Sequence, residues 1–288
     1  MLPAIDVHHH FWDLRANRYP WLQDEPPGAF RYGDTRALRK NYLPADFLAD
    51  ARPCGVTNSV HVEAEWDPAD PIGETRWIHT IAERHGLPDA CVAQAWLDRD
   101  DADAVLAAQA AFALVRGVRH KPKPGAMRTE RWRRGYALLE RHGLHFELQA
   151  PWSELYDAAD LASAFPRTTL VLNHTGLPAD RSEEGLAGWR AAMRALAECP
   201  NTLVKISGLG IKGKPWRVAD QAGVVLDAIA IFGASRCMFA SNFPVDGLVG
   251  SYATIMNGFR EIVARLPQAE QRALFRDNAQ RAYRIGGA

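Results

Sequence analysis

Eight short apolar runs, rich in β-branched residues and bounded by Gly, Pro or Asp, alternate along the chain with stretches of helical periodicity. Such alternation predicts a parallel sheet whose strands are joined by crossover helices. Eight units in one chain favour a closed (β/α)8 barrel, the TIM barrel, over an open sheet. An open doubly wound sheet would more naturally carry a G-x-G-x-x-G turn after its first strand, and the sequence has none there. The predicted strands are Ala4 to His10, Ser59 to Glu65, Ala90 to Leu97, Val115 to His120, Leu144 to Ala150, Thr169 to His174, Thr202 to Ser207 and Cys237 to Asn242.

Length, charge and cysteine usage narrow the class of protein. We predict that residues 1–288 form one barrel domain, with the active site at the C-terminal strand ends. Basic and acidic residues balance at 34 each, so no long-range field recruits nucleic acid or an anionic membrane. The four scattered cysteines form no C-x-x-C, which indicates buried thiols and a cytoplasmic location. We expect no export and no membrane span, and a homo-oligomer is compatible with the sequence.

The first predicted strand ends in a histidine cluster. Side chains alternate across a strand, so Asp6, His8 and His10 are predicted to share one face. A His-x-His pair at a strand end binds a metal ion, or positions and protonates a substrate. His8 and His10 are therefore candidate catalytic residues and candidate metal ligands.

Polar residues also stand at the ends of other predicted strands. An unpaired polar group inside a barrel costs about 1 to 3 kcal/mol, so several converging there indicate a functional site. We predict Glu63, Glu147, His174 and Asn242 as catalytic residues on this basis. The predicted inward faces are His61, Glu63 and Glu65 on strand two, His145, Glu147 and Gln149 on strand five, Leu170 and Leu172 leading to His174 on strand six, and Met238 and Ala240 leading to Asn242 on strand eight.

Other residues are candidates for substrate binding. Arg119, His120 and Lys121 follow strand four and are suited to hold an anionic substituent. Trp12 and Trp66 could form apolar walls of a pocket for a ring-shaped substrate. The segment from Pro20 to Asn41 is predicted to be a flap over the barrel mouth. The motifs of common serine hydrolases, of zincins and of P-loop enzymes are absent from the sequence.

Four segments together carry a family resemblance. They are Ile5 to Asp13 (IDVHHHFWD), Gly117 to His120 (GVRH), Leu172 to Gly176 (LNHTG) and Phe239 to Asp246 (FASNFPVD). In this order the chain resembles amidohydrolase family 2, and within it a branch of sugar and dicarboxylate lactonases similar to fuconolactonase and pyrone-dicarboxylate lactonase. The resemblance implies a TIM barrel that hydrolyses a small lactone or related ester, with an anionic or polyhydroxylated substrate. It also implies that His8, His10 and His174 act together.

The sequence departs from that family at strand eight. Relatives commonly carry aspartate where this chain has Asn242, and an amide cannot take a proton from water. Three alternatives remain for taking the proton of the water. Asp246, four residues on, reaches back to the site and acts as the base, or Glu63 or Glu147 acts as the base. In the third alternative, a metal-bound water is acidic enough to need less assistance from a base. A zinc or other divalent ion held by His8, His10 and His174 would lower the pKa of its water, while lactonases of this branch resemble metal-independent enzymes.

Two further functions stay open on sequence grounds. Some relatives are decarboxylases of aromatic or enol acids, and a metal-dependent decarboxylase would use the same histidines. A barrel that binds a carbohydrate acid without catalysis is favoured by the missing aspartate. The sequence does not name the substrate.

Overall fold

The computed structural model describes residues 2–24 and 30–286. Eight parallel strands within these ranges follow one another around the sheet in chain order. They are β1 (Ala4–His9), β2 (Val56–Val62), β3 (Ala90–Gln94), β4 (Val115–His120), β5 (His145–Leu148), β6 (Leu170–Leu172), β7 (Thr202–Ile206) and β8 (Cys237–Phe239). The predicted (β/α)8 barrel is confirmed.

Helices follow the strands and surround the sheet. They are α1 (Pro20–Gln23), α2 (Pro44–Ala51), α3 (Gly73–His85), α4 (Ala102–Ala110), α5 (Glu130–Arg141), α6 (Leu155–Ala164), α7 (Glu183–Ala197), α8 (Val218–Phe232), α9 (Tyr252–Ile262), α10 (Gln268–Arg272) and α11 (Asn278–Tyr283), with a π-helical turn at Ala273–Asp277. Beyond the end of β8, the backbone NH of Asn242 donates to the carbonyl of His8 at 2.7 Å. The NH of His10 donates to the carbonyl of Phe243, also at 2.7 Å, so β1 and the segment after β8 close the barrel at its mouth.

Apolar side chains from five strands meet in one cluster inside the barrel. The strand members are Ile5, Val7, Val60, Val62, Ala90, Val92, Val171 and Met238, and Ala240 joins them just after β8. Tyr283 of α11 joins them, and Arg116 at the start of β4 donates to the carbonyl of Tyr283 at 2.7 Å. The C-terminal helix therefore covers the end of the barrel opposite the mouth.

Several strands end earlier than predicted. β2 begins at Val56 and ends at Val62, although the prediction carried it to Glu65. β6 and β8 end at Leu172 and Phe239, before the predicted termini at His174 and Asn242. Glu65, His174 and Asn242 instead have positive φ angles of 59°, 53° and 55°. These sparsely populated backbone conformations turn the chain out of the sheet at the mouth.

The expected face of Asp6 is wrong because β1 contains a bulge. The register pairs Asp6 with Ser59 and His9 with His61, so the alternation slips between these pairs. The Asp6 carboxylate accepts hydrogen bonds from Ser241 Oγ at 2.6 Å and from the hydroxyl of Tyr252 in α9 at 2.9 Å. Asp6 thus faces the helices, and Ile5 and Val7 face the barrel interior.

Two other predicted faces are also reversed. His61 faces α3, where its Nε2 lies 3.1 Å from Glu74 Oε1. Val171 faces the interior, while Leu170 and Leu172 belong to the cluster between the sheet and the helices. In both cases the strand ends before the polar residue at the mouth, so the alternation within the strand does not continue to that residue.

Other expectations agree with the structure. Met238 and Ala240 face the interior as predicted. The four cysteines are buried and free. No helix in residues 2–24 and 30–286 is long and apolar enough to cross a membrane.

Candidate active site

A cavity of about 40 Å³ lies at the mouth of the barrel. Its wall is built from the end of β4, from loops that follow several strands, and from α1 with the segment after it. The lining residues are His10, Trp21, Phe30, Arg31, Ala64, Glu65, Arg119, Lys121, Gln149, His174, Asn242 and Val245.

Three predicted histidines meet beside this cavity. The ring of His8 lies 5.1 Å from that of His10 and 4.5 Å from that of His174, centroid to centroid. All three side chains are buried. The structure therefore brings the strand-one pair and the histidine after β6 into one cluster, from opposite sides of the barrel.

Hydrogen bonds determine which nitrogen of His10 carries the proton. His10 Nδ1 lies 2.8 Å from the carbonyl oxygen of Val62, which can only accept, so Nδ1 is protonated. In the neutral ring, Nε2 then keeps a lone pair. His174 Nδ1 bonds to Ser207 Oγ at 2.9 Å, and both partners in that bond can donate. His10 is thus the cavity-lining histidine whose tautomer the protein determines.

The cluster histidines are neutral at pH 7. Burial lowers the pKa of His8, His10 and His174 well below the ordinary value, because the charged imidazolium loses its hydration. Nearby cations lower it further, with Arg119 acting on each of the three rings. Neutral imidazoles accept a proton or a hydrogen bond.

Arg119 is held in place by Glu63. Its Nε donates to Glu63 Oε1 at 2.5 Å, and a second nitrogen donates to the Glu63 backbone carbonyl. Its remaining nitrogen approaches His8 Nε2 at 3.4 Å and Gln149 Oε1 at 3.2 Å. Glu63, proposed from sequence as a base, is therefore committed to an ion pair in which both side chains are buried.

The other residues after β4 differ in position. Lys121 pairs with Glu65 at the cavity wall. His120 turns toward the helices, where Trp132 Nε1 in α5 donates to its Nδ1 at 3.2 Å. Arg119 and Lys121 line the mouth cavity, and His120 lines only its neighbour.

Asp246 does reach back to Asn242. The Asn242 Nδ2 donates to Asp246 Oδ1 at 2.6 Å, and the Tyr32 hydroxyl donates to the same oxygen at 3.0 Å. Arg31 lies 3.8 Å from that oxygen. Burial raises the pKa of Asp246 to about 6. One Nδ2 hydrogen is thus used by Asp246, while the Asn242 side-chain oxygen accepts no hydrogen bond from the described residues and is available to a ligand.

Glu147 lies apart from the mouth cavity, deeper in the barrel. Its carboxylate accepts from Lys205 Nζ at 2.6 Å, Asn173 Nδ2 at 2.8 Å and the Tyr283 hydroxyl at 2.7 Å. Lys205 and His145 hold the pKa of Glu147 below its ordinary value although burial opposes this. Sequence reasoning missed Lys205, whose signal was a lysine inside the otherwise uncharged strand β7.

Trp12 and Trp66, both predicted to line the substrate pocket, lie in different parts of the structure. Trp12 is fully buried and stacks on His10, with ring centroids 6.3 Å apart, so it supports that ring from behind. Trp66 lines a neighbouring cavity instead. The predicted flap contributes Trp21, Phe30 and Arg31 to the mouth, while residues 25–29 of it lie outside the described ranges. Arg31 has no distinguishing signal in the sequence.

The predicted three-histidine metal site is only partly matched. The bonds at Nδ1 of His10 and His174 leave Nε2 for a ligand, as in many metal-binding histidines. However, the Arg119 guanidinium lies against His8 Nε2. Among the described residues, no group of three His, Cys, Asp or Glu side chains is arranged to hold a metal ion. The residues as placed do not fit that site.

Relatives of known name match nearly the whole chain. A protein of Sinorhizobium fredii, uncharacterized protein y4mH, is 40% identical, with 99% of both chains covered. The L-fucono-1,5-lactonase of Burkholderia multivorans is 31% identical, covering 98% of this chain and 96% of its own.

Solved structures agree with the sequence relatives. A crystal structure of a Burkholderia multivorans amidohydrolase with bound zinc superposes with a TM-score of 0.85 at 28% identity, covering 99% of this chain and 100% of its own. The family model described as Amidohydrolase matches residues 5–285. The chain belongs to the amidohydrolase family.

Proposed function

We propose that this protein is a hydrolase that opens a small lactone by attack of water on the ring carbonyl. The observation that carries the proposal is the neutral His10 ring, whose Nε2 lone pair is set by the Val62 carbonyl beside a cation-lined cavity. The similarity to L-fucono-1,5-lactonases supports the same chemistry.

In the first step, water adds to the carbonyl carbon and His10 Nε2 takes its proton. The carbonyl π electrons move onto oxygen and form a tetrahedral oxyanion. As the oxyanion collapses, the ring C–O bond breaks, and the imidazolium returns its proton to the leaving alkoxide. The product is a hydroxy acid, and His10 is neutral again.

Positive charge around the cavity serves this step. Arg31, Arg119 and Lys121 line it, and although Arg119 and Lys121 are paired with Glu63 and Glu65, their remaining N–H groups are donors that stabilise a developing oxyanion. Burial, together with Arg119 and Lys121, keeps the pKa of His10 low in the free enzyme. Negative charge developing on the substrate offsets their effect, so His10 becomes a better base as the water attacks.

Asn242 serves as an acceptor for the attacking water. Because Asn242 Nδ2 donates to Asp246, and Tyr32 in turn holds that carboxylate, the Asn242 side-chain oxygen is kept in one orientation. It orients the water, while the proton goes to His10. The two roles of the aspartate expected at this position are thereby divided: Asn242 orients the water, and His10 takes its proton.

A bound zinc or other divalent ion would supply a Lewis acid and an activated water. Of the three predicted ligands, all within the described residues, only His10 and His174 have Nε2 available for such an ion, one ligand fewer than the three of a catalytic zinc site. We expect turnover to survive chelation, measured together with the metal content of the purified protein. Turnover that disappears with a chelator and returns with zinc would contradict the metal-independent step.

The reaction class is tested by assaying a panel of 1,5-lactones and hydroxybenzoates. We expect acid release from lactones without release of carbon dioxide. Carbon dioxide from a hydroxybenzoate would favour the decarboxylase alternative, and tight binding without turnover would favour the non-catalytic one. The proposed substrate is a free small molecule in the cytoplasm, with no nucleic acid involved.

A further inference from the structure

A second cavity adjoins the mouth cavity. Its volume is about 300 Å³, against about 40 Å³ at the histidine cluster. The two cavities share Trp21, Glu65, Arg119 and Lys121 as a common wall. A group attached to a lactone at the histidine cluster could therefore extend past this wall into the second cavity.

Rigid aromatic side chains line the second cavity. Trp21, Trp66 and Trp96 contribute to its wall. Trp21 is held by the hydrogen bond from its Nε1 to the Ala64 carbonyl at 2.8 Å, and Trp66 packs edge-on against Tyr19 at 5.3 Å. Indole rings held in this way offer apolar surface without losing conformational entropy on binding.

One buried polar atom on this wall has no partner. The Gln94 side chain lines the cavity at 7% exposure, and its Oε1 has no hydrogen-bond partner within residues 2–24 and 30–286. The strand end that carries it is anchored, because the Gln94 backbone carbonyl accepts from Gln109 Nε2 at 2.9 Å. A buried acceptor left unpaired is satisfied when a ligand hydroxyl donates to it.

The charges around the second cavity are compensated. Arg119 is paired with Glu63, and Lys121 with Glu65. Burial lowers the pKa of His120, so that ring is neutral at pH 7. A neutral ligand with an apolar face and a rim of hydroxyls matches this lining better than an anion does.

We propose that the second cavity is a subsite for a neutral, hydroxylated ring attached to the lactone, so that the preferred substrate is a glycosylated sugar lactone. This proposal rests on lactone hydrolysis at the histidine cluster. Trp66 and Trp96 contact the second ring, and Gln94 Oε1 accepts one of its hydroxyl protons.

The test compares glucono-1,5-lactone with cellobiono-1,5-lactone, which carries a second glucose ring on O4. We expect kcat/KM to be about tenfold or more higher for the two-ring lactone. Gln94→Leu should bring that ratio close to one. The control is Gln221→Leu, which removes a buried glutamine amide on α8 that bonds Arg181 at 3.1 Å and should leave the ratio unchanged.

Binding separates this proposal from the proposed reaction. If neither lactone is hydrolysed, the reaction is wrong, and calorimetry with cellobionate and gluconate still tests the subsite. Tighter binding of cellobionate that Gln94→Leu abolishes supports the subsite. Equal preference for the two lactones, equal binding of the two acids, or a stronger preference for an aryl-substituted lactone would overturn it.

Discussion

Two polar regions share the interior of this barrel, and they differ in how their charges are satisfied. In the deep region, Glu147 is bonded to Lys205, Asn173 and Tyr283, and both charged side chains are fully buried. At the mouth, His10 presents an unused ring nitrogen to a cavity. The comparison teaches that polarity inside a barrel does not by itself mark catalysis. In the proposed mechanism, unused bonding capacity that faces open space distinguishes the mouth from the deep region.

The largest expected effect tests the mouth. His10→Asn keeps a donor for the Val62 carbonyl but removes the proton acceptor, so kcat/KM for the lactone should fall about 10²- to 10⁴-fold. The unfolding free energy, measured by urea denaturation, should fall by about 0.5 to 3 kcal/mol, as for other substitutions of buried side chains, so that the variant stays folded. A variant that keeps wild-type turnover would contradict the assignment of His10 as the base.

The matching substitution in the deep region should act on stability instead. Glu147→Gln leaves Lys205 buried without its counter-charge, and breaking a buried ion pair costs about 3 to 5 kcal/mol. Burial already lowers the pKa of Lys205 to about 8, so loss of its proton would moderate this cost. Urea denaturation measures the change.

A second variant makes this test specific. Adding Lys205→Met to Glu147→Gln removes the unpaired cation and should recover part of the lost unfolding free energy. If the double variant is as unstable as the sum of the single ones, the pair is not the source of the effect.

The smallest expected effect concerns pH. Asp246 has a pKa of about 6, raised by burial, so it is protonated below that pH and loses part of its capacity to accept from Asn242 and Tyr32. We expect kcat/KM to rise as pH increases through about 6, and Asp246→Asn to remove that rise. If kcat/KM of the variant still rises with pH near 6, the rise is due to the titration of another group.

The same shift predicts a change of stability with the opposite sign. Because the folded pKa of Asp246 lies above the unfolded one, folding takes up a proton between about pH 4 and pH 6. This contribution to stability is complete below about pH 4 and is lost as pH rises through about 6. Denaturation of Asp246→Asn over this range should show a smaller loss, which the activity profile alone would not reveal.

Sequence pattern was sufficient for the fold and for much of the mouth. Strand and helix alternation is a local property, so eight repeats of it determine the barrel. Polar residues where strands end identified His8, His10, His174 and Asn242, which the structure brings together. Arg31 was not predicted, since an arginine in an irregular segment carries no local sign of where it points.

What only the tertiary structure decided is which side chains face which neighbours. The bulge in β1 turned Asp6 away from His8, and positive φ angles placed His174 and Asn242 at the mouth. The ion pair between Glu147 and Lys205 also depends on the closed barrel, because the two residues are 58 positions apart in sequence and only the fold brings them into contact. Periodicity reports local conformation, whereas the partner of a buried charge depends on contacts between distant segments that a one-dimensional pattern does not contain.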